Sequence, residues 1–233
     1  VICILKQSYL GKYFKIQNSF NRNRLIEQTT LEKLMNIHDI ELFNCAVQSI
    51  KPEALFLFKR VKTMSLSFSG RYADIRDIRQ TIKQFEDNSE FKIQIDYIKI
   101  GFNQFDEIDI SEIIDQTQTG SLSLNSDAIT SLIIPSKEYQ QKRLNKHLKS
   151  ISLDSNRIES LLPGVFDSFP ELTNICIRYN LLSSLDSLVV NSLTKLVVLD
   201  LSSNQIRSID SAAFLDMVNL KKLNMNKNEN KTF

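Results

Sequence analysis

The chain has 233 residues, enough for one sizeable domain or one run of short repeats with a substantial core. Its 42% apolar and 24% charged content exclude wholesale disorder. With 29 Lys and Arg against 27 Asp and Glu, it has almost no net field to draw in a nucleic acid or an acidic membrane surface.

In chain order, Val1 to Leu5 is apolar, too short for the whole core of a signal peptide but long enough to be the remnant of one. Residues 1–36 are read as an N-terminal segment, a cap or a degenerate repeat, in which YFKIQNSFN from Tyr13 carries a trace of a repeating pattern. From Ile37 a spacing recurs: apolar residues at positions 0, 3 and 5 of each unit and a small polar one at position 8. Ile37, Ile40, Leu42 and Cys45 fit, as do Val61, Met64, Leu66 and Ser69, then Ile95, Ile98, Ile100 and Asn103, then Thr119, Leu122, Leu124 and Asp127. The units then fall at strict 24-residue intervals: LKSISLDSNRI from Leu148, LTNICIRYNLL from Leu172, LVVLDLSSNQI from Leu196 and LKKLNMNKN from Leu220. Of the 24 residues at the three core positions, 23 are apolar and only Thr119 is not. A random draw at this composition would give about ten. Spacings of 34 residues after Val61 and 29 after Thr119 mark insertions near 70–94 and 133–147.

These residues resemble the leucine-rich repeats, whose motif is L-x-x-L-x-L-x-x-N or C-x-L. The resemblance covers about Ile37 to Asn228 in about eight units. The 24-residue length and the second halves PGVFDSFPEL and SAAFLDMVNL are similar to the subclass of extracellular receptors and secreted matrix or immune proteins. The implied fold is α/β: a leucine-rich repeat solenoid, or horseshoe, with a parallel concave sheet and an irregular, helical-turn convex side. Residues 37–233 form the repeats, and no C-terminal cap is visible after Asn228.

In each unit, residues at positions 3 and 5 should point inward and those at 2, 4 and 6 outward. The return half supplies a second apolar layer: Leu161, Phe166 and Phe169, then Leu185, Val190 and Leu193, then Ile209, Phe214 and Met217. At position 8, Cys45, Asn103, Asn156, Asn180, Asn204 and Asn228 form a structural ladder, because one Asn can satisfy backbone groups of its own turn and of the next.

Chemistry is sparse. His38 and His147 lack metal-ligand or nucleophile arrangements, and Cys3, Cys45 and Cys176 show no paired spacing. No enzyme, metal or cofactor is expected. Cys176, at an outward position, is either a tolerated surface residue or a reactive thiol. Asp106, Glu107, Asp109, Glu112 and Asp115 form a solvated acidic run without a calcium-loop glycine; the basic insertion with Lys137, Lys142, Arg143, Lys146 and Lys149 comes one unit later. No run of about 20 apolar residues exists to span a bilayer.

Function is therefore expected on the sheet face, where a protein ligand would dock. Tyr97, Lys99 and Phe102 form one aromatic and cationic group, Asn174, Arg178 and Tyr179 a second, with Phe68 and Phe43 joining towards the N-terminus. The expected role is ligand recognition in an extracellular or cell-surface receptor-like, immune or adhesion protein. The alternative is an intracellular adaptor, and a homo- or heterodimer stays open. Asn230, with Lys231 and Thr232, is an acceptor sequence for N-linked sugar.

Overall fold

The computed structural model describes residues 3–7, 13–18, 39–43, 63–69, 75–86, 94–101, 105–114, 117–125, 128–134 and 145–229. Two compact units are present, one of residues 1–103 with 117–120, the other of 104–116 with 121–233.

In the first unit, β1 (Cys3–Gln7) pairs antiparallel with β2 (Tyr13–Asn18). Three parallel strands come next, β3 (Asp39–Phe43), β4 (Thr63–Ser69) and β5 (Gln94–Gly101). The trace at YFKIQN is thus a strand of the ladder, with Phe14 opposite Ile40 and Ile16 opposite Leu42. Alternation with a period of two buries Ile98 and Ile100 and leaves Tyr97 and Lys99 half-buried on the other face. Asp96 is an extra residue in the β4–β5 register, and its carbonyl accepts from the Gly120 backbone at 3.2 Å.

The register corrects one repeat. Leu66, not Met64, lies opposite Ile40 and Ile98, and Phe68 lies opposite Leu42 and Ile100. The unit assigned to Val61 therefore starts at Thr63, two residues later. A period-two strand presents the same face after a slip of two, so the apolar residues 64, 66 and 68 satisfy either frame. The frame that starts on Val61 fits the template at position 0 and, through Ser69, at position 8, where the frame from Thr63 has Thr63 and Arg71. In the corrected frame Ser69, opposite Gly101, leaves the ladder position.

The insertion near 70–94 contains helix α1 (Ile75–Glu86), which packs on β5. Ile78 and Ile82, one turn apart, are its buried residues among those described.

The second unit carries the regular solenoid. Its sheet has five parallel strands: β7 (Ser121–Asn125), β9 (Ser150–Ser152), β10 (Asn174–Cys176), β12 (Val198–Asp200) and β14 (Lys222–Asn224). Leu122, Ile151, Ile175, Leu199 and Leu223 stand in one row, as the spacing predicts. The first four are buried within 2% exposure, as are Leu124, Leu153, Ile177 and Leu201. Burying each such side chain contributes about 1.5–3 kcal/mol.

The return halves are irregular and helical-turn, as expected. Two-residue parallel bridges join β6 (Glu107–Ile108) to β8 (Ser131–Leu132) and β11 (Ser184–Leu185) to β13 (Ser208–Ile209). Helix α2 (Ile110–Ile114) starts where Asp109 Oδ1 accepts from the Ser111 N–H at 2.8 Å, and α3 (Ser187–Val190) where Asp186 Oδ1 accepts from the Leu188 N–H at 2.8 Å. The acidic run thus contributes a helix start through Asp109. In the second apolar layer Phe166, Phe169, Leu185, Val190, Leu193 and Met217 are buried, whereas Leu161, Ile209 and Phe214 are partly exposed.

The asparagine ladder is present in atomic detail. Asn204 Nδ2 donates to the carbonyls of Ile177, at 2.8 Å, and Leu201, at 3.0 Å, while its Oδ1 accepts from Leu182 N–H at 3.1 Å. Asn180 donates to Leu153 and Arg178 carbonyls and accepts from Ile158 N–H; Asn228 donates to Leu201 and Met225 carbonyls and accepts from Ile206 N–H. Asn156 donates to Leu124 and Leu153 carbonyls, but its Oδ1 has no partner. Cys45 and Asn103 lie outside the described residues.

Candidate partner-binding face

Bonding along the ladder requires a tight turn after each strand. Ser155, Tyr179, Ser203 and Lys227, each at position 7, adopt φ of 61, 55, 58 and 58°. This left-handed region is disfavoured for residues with a Cβ, and more so for a bulky ring than for serine. Tyr179 is nonetheless 56% exposed, and Leu181 two residues on is 36% exposed, while Asn180 and Leu182 are buried.

One position earlier, a polar rail crosses three strands. Asn125 Oδ1 accepts from Asp154 N–H and from Ser152 Oγ, each at 2.9 Å. Asp154 Oδ1 accepts from Arg178 N–H at 2.8 Å, and its Oδ2 from Arg178 Nε at 3.0 Å and Nη2 at 2.6 Å. The Asp154 side chain is 8% exposed and that of Arg178 45%, so a buried anion holds one edge of the arginine fork at a part-exposed side chain. The hydrogen bonds from Arg178 to Asp154, reinforced by the opposite charge, raise the arginine's pKa further.

Next along the sheet, Asp200 Oδ1 accepts from Ser202 N–H and Oγ, at 3.0 and 2.6 Å, and Oδ2 from Asn224 Nδ2 at 3.0 Å. Burial pushes this carboxyl up more than any single bond lowers it, yet the Ser202 and Asn224 bonds and the Arg178 charge together hold it below the ordinary carboxylate value. Cys176 is a free thiol between these carboxylates; burial, then the fields of Asp154 and Asp200, push its pKa up. A raised pKa leaves less of the nucleophilic thiolate at Cys176.

Of the residues nominated from sequence, the second unit brings together Asn174, Arg178 and Tyr179 on one strand and its turn. Asn174 Oδ1 accepts from Thr173 Oγ1 at 2.8 Å. Tyr97 and Lys99 share the outer face of β5 in the first unit. Phe68 lies opposite Ile100 in the β4–β5 register. Phe102 lies outside the described residues, as do Asn230, Lys137, Lys142 and Arg143.

Sequence reading missed Asp154, Asn125, Asp200 and Leu181. The signal for the ion pair was present: residues one repeat apart are cross-strand neighbours in a parallel ladder, so opposite charges 24 residues apart should meet. Asp154 with Arg178 and Glu171 with Lys195 both have that separation. Among the described residues no cluster of three His, Cys, Asp or Glu stands ready for a metal ion, and no helix is long and apolar enough to cross a membrane.

Residues 170–229 match the family described as Leucine rich repeat. Two solved structures of the Toll–Spatzle complex of Drosophila share the fold. One matches at 21% identity and a TM-score of 0.56 over 93% of this chain, the other, a glycosylated form, at 15% and 0.60 over 96%. A structure of a TLR13–ssRNA13 complex matches at 17% identity and a TM-score of 0.48 over 94% of this chain and 38% of that one. The chain spans 26% and 31% of the two Toll chains. No curated protein matches it by sequence.

Proposed function

From a chain built of leucine-rich repeats, we infer a recognition module that binds another protein on the outer face of its parallel sheet and performs no catalysis. Once the apolar rows are buried, the outward rows have no packing duty, and a stack of repeats makes them a broad fixed surface. The observation that carries the reading is Arg178, oriented by a buried Asp154 while nearly half of its side chain remains exposed. Held in place, it loses little side-chain freedom on meeting a partner. Asn174 and Tyr179 in the same unit, and Tyr97, Lys99 and Phe102 in the first unit, complete the proposed contacts.

The setting we favour is extracellular or cell-surface, within a receptor-like protein of immunity or adhesion. The likeness to Toll, seen in complex with Spatzle, supports it through the shared fold. The Asn230 acceptor sequence supports it independently, and glycosylation in a secretory host that disappears in Asn230→Gln would bear it out. An intracellular adaptor is the second reading, favoured by the unpaired Cys176 thiol.

The test is photo-cross-linking in cells expressing the full-length protein. A photoreactive side chain replaces Val198, on the outer face of β12, or Leu215, exposed on the return half. Protein adducts are expected from position 198 and not from 215; adducts from 215 alone would move the interface to the opposite side.

A further inference from the structure

The near-neutral total hides a division of charge between the two halves of each repeat. Over residues 148–229, the strand halves, positions 0 to 10, hold six cations and three anions, whereas the return halves hold two cations and six anions. All three anions of the strand halves are already bonded within the chain. Asp154 is paired with Arg178, Glu229 with Arg207, and Asp200 accepts from Ser202 and Asn224. Lys149, Arg157, Lys221, Lys222 and Lys227 are exposed on these halves and have no ion-pair partner among the described residues.

In the middle of this cationic side stands one apolar step. Tyr179 and Leu181 are both exposed, and the residues at the same positions in the flanking repeats are Ser155 and Arg157 on one side and Ser203 and Gln205 on the other. Repeats stack at about 4.8 Å, so the small serines leave the faces of the tyrosine ring uncovered. The left-handed turn gains nothing from a tyrosine, and strain retained at an exposed site points to use.

We propose that the partner's docking segment is an acidic stretch of protein carrying an apolar side chain that packs on Tyr179 and Leu181, with its carboxylates on Arg157, Arg178 and Lys222. This rests on the binding-module reading and adds the chemistry of the partner. A nucleic acid is the rival polyanion. Asp200, a part-exposed carboxylate on the outer face of β12, opposes a continuous phosphate chain, whereas separate carboxylates on a peptide can avoid it.

Three probes test it on the purified full chain by fluorescence anisotropy: a 12-residue Glu- and Asp-rich peptide with one central Phe, its Lys-rich counterpart, and a 12-nucleotide single-stranded RNA. The acidic peptide should bind tightest and weaken as salt rises. Exchanging its Phe for Ser, or making Tyr179→Gly in the protein, should each weaken it about tenfold. Glycine suits the positive φ, so Tyr179→Gly should hold or raise Tm while losing affinity, which separates lost contact from lost fold. Arg157→Glu with Lys222→Glu should abolish binding. Equal affinity for the Lys-rich peptide, tighter binding of RNA, or full retention by Tyr179→Gly would overturn the proposal. If adducts still form from position 198 in that event, the binding-module reading stands and only the partner's chemistry falls.

Discussion

The energy of the turn column resides in single side chains. Removing Asn180 leaves the buried Ile158 N–H without its acceptor and takes one of two donors from the Leu153 carbonyl, which Asn156 also reaches, and from the Arg178 carbonyl, which the Ser155 N–H also reaches. We expect Asn180→Ala to cost about 1–3 kcal/mol in urea unfolding. Asn156→Ala should cost less, because its Oδ1 bonds to nothing and, of its two carbonyl partners, Leu153 keeps Asn180 as a donor. Equal costs would show that the acceptor side of the ladder contributes little. Asp200 makes the pH prediction. Its folded carboxyl is held below the ordinary value, so its contribution is complete above the unfolded pKa, about 4, and is lost as pH falls through the lower folded one. Asp200→Asn should flatten that part of the acid unfolding profile, measured by Tm from pH 5 down to 2.

At the scale of elements, two devices decide how much of the chain could be read in advance. Strict 24-residue spacing and an Asn at position 8 fix the strand frame independently from Leu148 onward, and each strand pairs as expected. Between Val61 and Ile95 only the period-two alternation remained, which cannot detect a slip of two residues. Helix α1 was legible in principle: Ile75, Ile78 and Ile82 follow helical spacing, but repeat counting treated the segment as length to be skipped. Rails such as Asn125–Asp154–Arg178 become visible only when repeats are superposed, because neighbours in space are 24 to 29 residues apart in sequence. The non-apolar core position also finds its account here. Thr119 is fully buried and its Oγ1 has no partner. Thr119→Val keeps the shape and removes an unsatisfied hydroxyl, and should hold or raise stability by up to about 1 kcal/mol in thermal melts. A loss of stability would mean that the hydroxyl has a partner after all.

Across the second unit, the apolar row Leu122, Ile151, Ile175, Leu199 and Leu223 joins repeats that otherwise touch only their neighbours. Ion pairs at the surface, such as Arg207–Glu229, add little, because solvent screens them and holding two long side chains costs entropy. Cohesion therefore tracks burial along the row, where Leu122, Ile151, Ile175 and Leu199 are all within 2% exposure. Leu199→Ala should cost about 2–5 kcal/mol in urea unfolding. Because coupling runs from neighbour to neighbour, the damage from Leu199→Ala should decay with distance along the stack. Native-state hydrogen exchange should then accelerate most in β10, β12 and β14 and least in β7. Uniform acceleration in all five strands would mean that the unit opens as a single cooperative block, with the sheet rather than the individual repeat as its unit of stability.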